Sequence, residues 1–552
     1  MKRAQGAAYI AFAVTLLALV TFPAHGLDRP RRTPTALLSH VSQSVQVRYL
    51  MTHPSGAGGG ADLGSVGQGL KTVRAGQRDD GSGARDVFNR DTTGLPQNEE
   101  AVTVCQKQPQ YVLSGTNDYR GLLDPEENFT GWYFSKNGGE AVANEGLLPA
   151  LPVEGGPDLP SGGDPVVQSD EGCTLFAADL NYPADDPFSG NNGIGLYRST
   201  PKTLASCPQG RDPDHLTNPS CWPDRTLVAT THAVGGVGQF LDKPWFDIGE
   251  SGGAGEVIWV TYSDFAIDVN APVGFTGAQV KAVRCDADLS DCTAPILISG
   301  NDQDIQWSDV TIAQDGSVLV TWADIEGELE QQAQTFIVKA RIAQPGSTQF
   351  GPTHVVAVEK NPLPFGGKLH SNDFRTATYP KSIMPLVDGQ REPYVVWDRC
   401  EYRVVDFVCE EPEIVMSRSP DGGTTWTRPV TISTGGDNYF PAISDEIGSP
   451  NFVVAWYTNR LDTFWHNQQS AEIVSIDKAS GKVDERHAVT SLLNETEADP
   501  VLGGFFIGDY IDVHLLRGTA YVAYNANYRK IPLLGEGIPV PQQDNYLTRV
   551  DV

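Results

Sequence analysis

Carboxylate, amide and arginine side chains recur in this sequence where short apolar runs end. Seven runs rich in β-branched and aromatic residues end at Asp118, Asp179, Asp264, Asp324, Asp398, Asn459 and Asn527. An arginine stands at or just after four of these ends, as Arg120, Arg399, Arg460 and Arg529. Arginine clamps a carboxylate through two parallel hydrogen bonds. A carboxyl group whose pKa is raised by burial can do acid–base work.

A second set of polar and aromatic residues stands where the strand before each run would begin. Its members are Asn98, Glu99, Asp164, Trp245, Trp307, Arg375, Tyr379, Tyr439, Asp509 and Tyr510. Aromatic faces stack on sugar rings, so the two sets around one opening would suit a sugar ligand. Each residue taken alone has a structural alternative, because strand-end acids and arginines also cap turns and tie neighbouring repeats together.

The runs repeat along the chain, and the repeat predicts the fold. Their ends recur at intervals of 60 to 85 residues. Each run follows another strand and a turn, as DVTIAQDG precedes VLVTWAD, and a third and often a fourth strand come after it. Four antiparallel strands per unit predict an all-β protein, a β-propeller with seven blades. Six blades remain an alternative if one unit is an insertion.

Propeller geometry assigns the candidate residues to one place. Inner strands start, and second strands end, on the same face of a propeller, near its central channel. We call that end of the channel the mouth, and both sets of residues are expected there. The last strand, NYLTRVDV, lacks a fourth partner, and residues 84–91 could supply it and close the ring.

The N-terminus is predicted to be an export signal. Lys2 and Arg3 precede an apolar stretch at 7–22, and small residues follow, so residues 1–26 resemble a signal peptide. A membrane anchor is the alternative. Residues 27–84 are expected to be a flexible Gly-rich linker or propeptide, and residues 85–552 the propeller. The net charge of −29 argues against nucleic acid and anionic lipid as partners.

The eight cysteines fit an oxidising compartment. Three pairs are close in sequence: Cys207 with Cys221, Cys285 with Cys292, and Cys400 with Cys409. The remaining two, Cys105 and Cys173, fall near the same turn in adjacent units, so a bridge between blades is expected.

One loop carries a specific resemblance. Residues 419–426, SPDGGTTW, match the Asp-box pattern S/T-x-D-x-G-x-T-W at every defined position, through Ser419, Asp421, Gly423, Thr425 and Trp426. Residues 135–140, SKNGGE, look like a degraded copy in the first unit. The region from about residue 97 onward therefore resembles the sialidase-like secreted bacterial propellers. The resemblance implies that the box is a fold element on the outer rim.

The resemblance also implies roles for residues at the mouth. Sialidases use an arginine triad on the substrate carboxylate, a Tyr–Glu nucleophile pair and an aspartic acid/base. Carried over, these roles make Tyr510, Glu99 and Asp118 the catalytic candidates. The substrate-binding candidates are the arginines Arg120, Arg375, Arg399, Arg460 and Arg529. The family's F/Y-R-I-P motif is absent from the opening unit, and the nearest similar stretch is Asp373-Phe374-Arg375-Thr376.

Two functions follow from these observations. The first is an exported exo-glycosidase of sialidase type, with its site at the channel mouth. The second is a non-catalytic extracellular propeller that binds a glycan, a glycoconjugate or a cell-surface protein. No cofactor is expected and no metal ligand set is assigned, although the acidic mouth has the chemistry for a structural Ca²⁺ ion. A monomer without a membrane span after signal cleavage is expected.

Overall fold

The computed structural model confirms the predicted β-propeller. It describes residues 41, 45, 86–183, 191–208, 216–231, 237–253, 255–268, 275–302, 304–326, 335–360, 362–363, 367–401, 404–405, 408–490, 492–535 and 538–552. Seven antiparallel blades form a ring, each with its strands in chain order from the channel outward. The predicted signal peptide, and the linker apart from Val41 and Val45, lie outside the described residues.

Blades 1 to 4 follow one another along the chain. Blade 1 comprises β1 Gln97–Val104, β2 Val112–Asp118, β3 Thr130–Ser135 and β4 Val142–Leu147. Blade 2 comprises β5 Val166–Ser169, β6 Leu175–Asn181, β7 Asn192–Ser199 and β8 Asp224–Thr231, with a short helix, α1 Pro201–Ser206, before the last strand. Blade 3 comprises β9 Val237–Glu250, β10 Glu256–Asp268, β11 Phe275–Asp286 and β12 Ile296–Leu297. Blade 4 comprises β13 Ile305–Ile312, β14 Val318–Glu326, β15 Thr335–Ala343 and β16 His354–Glu359.

Blades 5 to 7 carry additional short strands in their loops. The blade 5 region contains β17 Lys368–Leu369, β18 Lys381–Ile383, β19 Leu386–Val387, β20 Gln390–Arg391, β21 Tyr394–Cys400, β22 Val404–Val405, β23 Val408–Cys409, β24 Pro412–Arg418 and β25 Val430–Thr431. The blade itself is β18-β21-β24-β25. Blade 6 contains β26 Asn438–Asp445, β27 Asn451–Thr458, β28 Gln468–Asp477 and β29 Val483–Ala488, and β30 Asn494–Glu495 pairs with β28. Blade 7 contains β31 Asp512–Leu516, β32 Thr519–Ala526 and β35 Asp544–Asp551, with β33 Lys530–Ile531 and β34 Val540–Pro541 in its loop. Short 3-10 helices lie at Tyr119–Leu123, Pro219–Cys221, Thr496–Ala498 and Leu533–Gly535.

The hydrophobic core consists of layers between neighbouring blades. Trp259, Trp322, Trp397 and Trp456 occupy the second strands of blades 3 to 6, and each is at most 2% exposed. Trp259 and Trp322, for example, share one apolar cluster with residues of blades 3 and 4. Burying an aromatic or large aliphatic side chain stabilises the fold by roughly 1.5–3 kcal/mol. Each blade is therefore held mainly by its two neighbours in the ring.

The segment before the first blade closes the ring, as the sequence predicts. Val87 pairs with Tyr546 of β35 in an antiparallel bridge. The amide of Phe88 donates to the carbonyl of Asn545 at 2.7 Å, and the amide of Leu547 donates to the carbonyl of Asp86 at 2.8 Å. Residues 86–88 thus complete blade 7 as its outer strand and cover the edge that β35 would otherwise expose.

All four predicted disulfides are present. Cys105 joins blade 1 to Cys173 of blade 2, while the other three bonds are local: Cys207–Cys221, Cys285–Cys292 and Cys400–Cys409.

The loop that resembles an Asp-box lies between β24 and β25, the third and fourth strands of blade 5. The Asp421 carboxylate accepts from the amide and the hydroxyl of Thr425, both at 2.7 Å, and from the hydroxyl of Ser419 at 2.9 Å. The Ser419 hydroxyl in turn accepts from the amide of Gly423 at 2.7 Å. These hydrogen bonds, those to Thr425 above all, lower the pKa of Asp421. The partly buried Trp426 packs on apolar residues of blades 4 and 5.

The degraded copy in blade 1 makes the same turn. The Ser135 hydroxyl donates to Asn137 Oδ1 at 2.7 Å and accepts from the amide of Gly139 at 3.1 Å. Asn137 Oδ1 also accepts from the amide of Ala141 at 3.1 Å. An amide oxygen therefore replaces the carboxylate oxygen without changing the turn.

We expect Asp421→Ala to lower the free energy of unfolding by about 1 kcal/mol, since several local hydrogen bonds are lost at an exposed site. Asp421→Asn should lose less, because Asn137 shows that an amide supports this turn. Urea unfolding of the two variants measures the difference. Equal losses would contradict the assignment of the turn to the Oδ1 acceptor.

Candidate functional site

The inner strand of most blades has an irregularity close to its start. The pairing of β1 with β2 breaks between Asn98 and Ala101, and the pairings of β9, β13 and β26 break at the equivalent points. Two inner-strand residues there face one residue of the second strand, which defines a β-bulge. The first bulge residue has a positive φ: 59° for Glu99, 51° for Lys243, 55° for Trp307 and 53° for Phe440. Bulges re-aim side chains, and these aim theirs toward the channel axis.

One residue from each blade occupies this position, and we call the set the axial ring. Its members, in blade order, are Glu99, Asp164, Lys243, Trp307, Tyr379, Phe440 and Asp509. None is more than 8% exposed, so the ring closes the channel near its mouth. The ring has two halves: blades 7, 1, 2 and 3 contribute charged residues, and blades 4, 5 and 6 contribute aromatic ones.

Lys243 is the centre of the charged half. Its ammonium group lies 2.5 Å from Asp509 Oδ2, 3.2 Å from Asp164 Oδ2 and 3.4 Å from Glu99 Oε1. Burial would lower the pKa of Lys243, but the three carboxylates raise it well above its ordinary value. The amine therefore stays charged, as a buried cation can only when it is paired.

Glu99 is the ring carboxyl group best placed to hold a proton. Its Oε2 accepts from Asn117 Nδ2 at 2.7 Å, and its Oε1 accepts from the amide of Asp509 at 3.2 Å. Burial, together with the charge of Asp164, raises the pKa of Glu99 well above its ordinary value. Two carboxyl groups this close favour one shared proton. A protonated glutamic acid beside an ionised aspartate is the arrangement that acid–base chemistry requires.

Arg375 supplies a second cation next to the ring. Its Nε donates to Asp509 Oδ1 at 3.1 Å, and Nη2 donates to Asp509 Oδ2. Although burial alone would raise the pKa of Asp509, Arg375 and Lys243 hold it at about 2. Arg375 Nη1 donates to the carbonyl of Val41, upstream of the propeller, at 2.8 Å.

The aromatic half is packed edge to face. The ring of Trp307 lies 4.7 Å from that of Tyr379, and Tyr379 lies 5.6 Å from Phe440. The Tyr379 hydroxyl is buried and has no hydrogen-bond partner among the described residues. The neighbouring Asp398 braces this half from the second strand of blade 5, because its carboxylate accepts from the amides of Tyr379 and Phe440 at 3.3 and 3.0 Å.

A second layer lies directly beneath the ring. The Lys381 ammonium sits 2.8 Å from the centroid of the Trp245 ring, and Trp245 meets Tyr510 edge to face at 5.8 Å. The Tyr510 hydroxyl donates to the carbonyl of Pro165 at 2.8 Å. A cavity of about 30 Å³ separates this layer from the ring. Burial lowers the pKa of Lys381 to about 8.

The ligand-sized cavity lies at the opposite end of the channel from the predicted mouth. It has a volume of about 540 Å³ and is lined by the later halves of the inner strands. Its walls are largely apolar, with residues such as Val104, Ile312 and Leu515, and Lys381 lies at its inner end. The sequence predicted a concave opening where the strands start. The axial ring and Val41 fill that space instead.

The structure brings three of the eight predicted site residues together. Glu99, Tyr510 and Arg375 all lie at or beside the axial ring. Asp118 is fully buried in a separate network within blade 1, where it pairs with Arg120 at 2.6 Å. Arg120 also pairs with Glu145 at 2.8 Å.

The other three arginines pair with carboxylates inside their own blades. Arg399 Nη2 lies 2.8 Å from Glu413, Arg529 Nη2 lies 2.6 Å from Asp544, and Arg460 pairs with Glu472. Within the described part of the chain, no three arginines converge on one point at the mouth. The structural alternative weighed for these residues, ion pairs that hold the blades, describes their positions.

Lys243 and Lys381 are the charged residues that sequence reasoning missed. A signal for Lys243 existed, because four ring residues stand directly before proline: Asp164-Pro165, Lys243-Pro244, Tyr379-Pro380 and Phe440-Pro441. Aligning these dipeptides at each inner-strand start would have placed the lysine next to Glu99 and Asp509. Lys381 follows the same proline in blade 5 and could have been found with it.

No protein-family profile matches the chain, and no curated protein matches it. Solved structures do match. An α-L-arabinofuranosidase from Fusarium graminearum, in complex with an iminosugar inhibitor, matches at 12% identity and a TM-score of 0.41, over 72% of this chain and 98% of the enzyme. A Hadza microbial sialidase matches at 12% identity and a TM-score of 0.39, over 69% of this chain and 65% of its own. An ulvan lyase bound to its oligosaccharide matches at 8% identity and a TM-score of 0.43, over 83% and 96%. Likeness at this level transfers neither activity nor substrate.

Two searches for other site types returned nothing within the described ranges. No group of three or more His, Cys, Asp or Glu side chains is arranged to hold a metal ion. No described helix has the length and apolar character needed to cross a bilayer.

We expect Asp509→Asn to lower the free energy of unfolding by about 3 kcal/mol at pH 7, since two buried cations lose their shared anion. The pKa of Asp509 is about 2 in the fold against an ordinary value of 3.8, so its ionisation stabilises the protein above pH 4. That contribution, about 2 kcal/mol, is lost as the pH falls from 4 toward 2.

Urea unfolding from pH 7 to 3 should show the gap between wild type and variant narrowing below pH 4. The exposed Asp158→Asn is the matched control and should show no gap. A gap that is constant with pH would contradict the ion-pair assignment.

Proposed function

We propose that the protein is an exported β-propeller that binds a glycan at the axial ring and hydrolyses its terminal glycosidic bond. The observation that carries this proposal is the division of the ring into a charged and an aromatic half. Aromatic faces pack against the C–H face of a sugar, while carboxylates and cations bond its hydroxyl or carboxylate groups. Export is supported by the predicted signal peptide and by the four disulfides.

Glu99 is assigned the general acid. Its raised pKa keeps a proton available at neutral pH, and Asp164 next to it stays ionised. Protonation of the leaving glycosidic oxygen is the step that such a pair supports. Since Asp118 is held in its own network by Arg120, we assign the carboxyl roles to the ring and none to Asp118.

Two tyrosines are candidates for the nucleophile. Tyr510, expected from the family resemblance, directly follows ring residue Asp509, but its hydroxyl is bonded to the carbonyl of Pro165. Tyr379 belongs to the ring and its buried hydroxyl has no partner within the described chain. Arg375 lies beside both the ring and Asp509, where it can meet an acidic group of the substrate.

A rigid aromatic pair on the mouth face supports a glycan as ligand. Phe464 and Trp465 are 76% and 69% exposed, and they stand in the loop after β27. The Asp462 carboxylate accepts from their amides at 3.3 and 3.2 Å, and from two further amides of the loop. Despite partial burial, these donors lower the pKa of Asp462. The loop is thus held by its own hydrogen bonds while it presents two rings to solvent.

A panel of fluorogenic glycosides, including a sialoside, tests the enzymatic proposal. We expect turnover of at least one glycoside and a loss of about 10²-fold or more in kcat for Glu99→Gln, since a general acid contributes that much. Glu154→Gln, at an exposed position, is the matched control and should retain full activity.

Tyr379→Phe and Tyr510→Phe assign the nucleophile in the same assay. The variant that abolishes turnover identifies it, and the other should retain measurable activity. If no glycoside is turned over by the folded protein, hydrolysis is excluded and glycan binding remains to be measured.

Non-catalytic glycan binding is the second candidate, and a specific observation favours it. Lys243 and Arg375 are already paired with Asp509, so the ring is charge-balanced without a substrate. Such a site can hold a neutral sugar without performing chemistry.

We expect Trp465→Ala to weaken binding to soluble polysaccharide by roughly 5- to 100-fold, in line with loss of about 1–3 kcal/mol of aromatic stacking. Affinity electrophoresis in gels that contain polysaccharide measures this. Ile447→Ala removes an exposed apolar side chain from the opposite face and is the control. Equal retardation of wild type and Trp465→Ala would exclude the aromatic pair from glycan binding.

A further inference from the structure

Two residues from the segment upstream of the propeller are described, and both are buried. Val41 is 1% exposed and Val45 is fully buried. They belong to the apolar cluster of blades 2 and 3 that also contains Leu241, two positions before Lys243 of the axial ring. The upstream segment therefore has a defined docking place on the propeller, close to the start of an inner strand.

The docked segment also uses the arginine beside the ring. Arg375 directs Nε and Nη2 to Asp509 and Nη1 to the carbonyl oxygen of Val41, at 2.8 Å. A guanidinium group binds an incoming carboxylate or hydroxyl through these same donors. With all three nitrogens engaged, the Val41 carbonyl holds the position that an oxygen of a ligand would need.

Burial of the ring agrees with a covered site. The three ring carboxylates are at most 1% exposed, and Lys243 and Arg375 are 8% and 7% exposed. A glycan cannot reach these groups while the chain around Val41 stays in place.

We propose that the N-terminal segment, residues 27–84, is an internal inhibitor that docks through Val41 and Val45 and occupies the ligand position next to Arg375. Displacement of the segment opens the charged half of the ring. The identity of the ligand as a glycan rests on the proposed function above, but the docking does not.

The composition of the segment suits this role. A Gly-rich stretch at 55–60 separates Val45 from the first propeller strand. Gly-rich linkers are flexible and small polar stretches are preferred sites of proteolysis. The inhibitor can therefore be cut from the propeller without touching a blade.

The first test uses the full exported chain and its Val45→Asp variant, which places a charge in the apolar docking site. Hydrogen exchange of peptides that cover 97–104 and 505–512 reports exposure of the ring strands. We expect exchange in these peptides to accelerate at least tenfold in Val45→Asp. Val358→Asp, at an exposed valine of β16, is the matched control and should leave exchange unchanged.

The second test does not depend on the folding of a variant. A specific protease site is placed within residues 56–60, the purified chain is cut, and the freed N-terminal peptide is removed by gel filtration. Ring-strand exchange should accelerate on removal and return to its original rate when the peptide is added back. Unchanged exchange after removal of the peptide would overturn the inhibitor proposal.

Glycoside turnover measured in parallel separates the two proposals. Faster exchange with new or increased turnover supports both. Faster exchange without turnover of any glycoside leaves the docking established and rejects the hydrolase. Turnover that is equal before and after removal of the peptide rejects the inhibitor and retains the hydrolase.

Discussion

The ammonium group of Lys243, held among three carboxylates on the propeller axis, is the interaction on which the centre of this protein depends. It joins blades 7, 1, 2 and 3 at one point. Four buried charges are stable only together, because loss of any one leaves another unpaired in a medium that solvates it poorly. Each charge reaches the axis through an inner-strand bulge or the equivalent turn, so backbone irregularity and electrostatics require one another.

Polar groups elsewhere in the propeller serve structure. Strand-end acids tie blades to one another: Asp179 accepts from the hydroxyl of Thr130 in the preceding blade, and Asp398 accepts from the amide of Phe440 in the next. Arginines at the strand ends neutralise glutamates or aspartates within their blades. A chain with an excess of acids thus uses most of its buried charge to hold blades in register. It concentrates chemically capable groups at the one point where seven blades meet.

The sequence predicts features that depend on the repeat, and it fails where a side chain chooses its partner. Blade number, the closing strand at residues 86–88 and the Cys105–Cys173 bridge all follow from strand order alone. Arg399 and Arg460 were expected at the mouth because they end a second strand, but Glu413 and Glu472 on the adjacent third strands capture them. Lys243 was missed because a bulge shifts the inward-facing position by one residue, and simple alternation does not show this. The contact of Val41 with Arg375 links residues too distant in sequence for any local pattern to reveal.

The way in which the ring closes fixes when the protein can fold. Residues 86–88 emerge first from the ribosome, yet their partner strand, Asp544–Asp551, is the last to be made. Pairing of such distant segments is slow, since it must close a very long loop. The chain therefore reaches its export machinery without a closed propeller, and the circle is completed only after the C-terminus has crossed. Disulfide formation, including the Cys105–Cys173 bridge between the first two blades, can then begin on the outside while the final strand is still arriving.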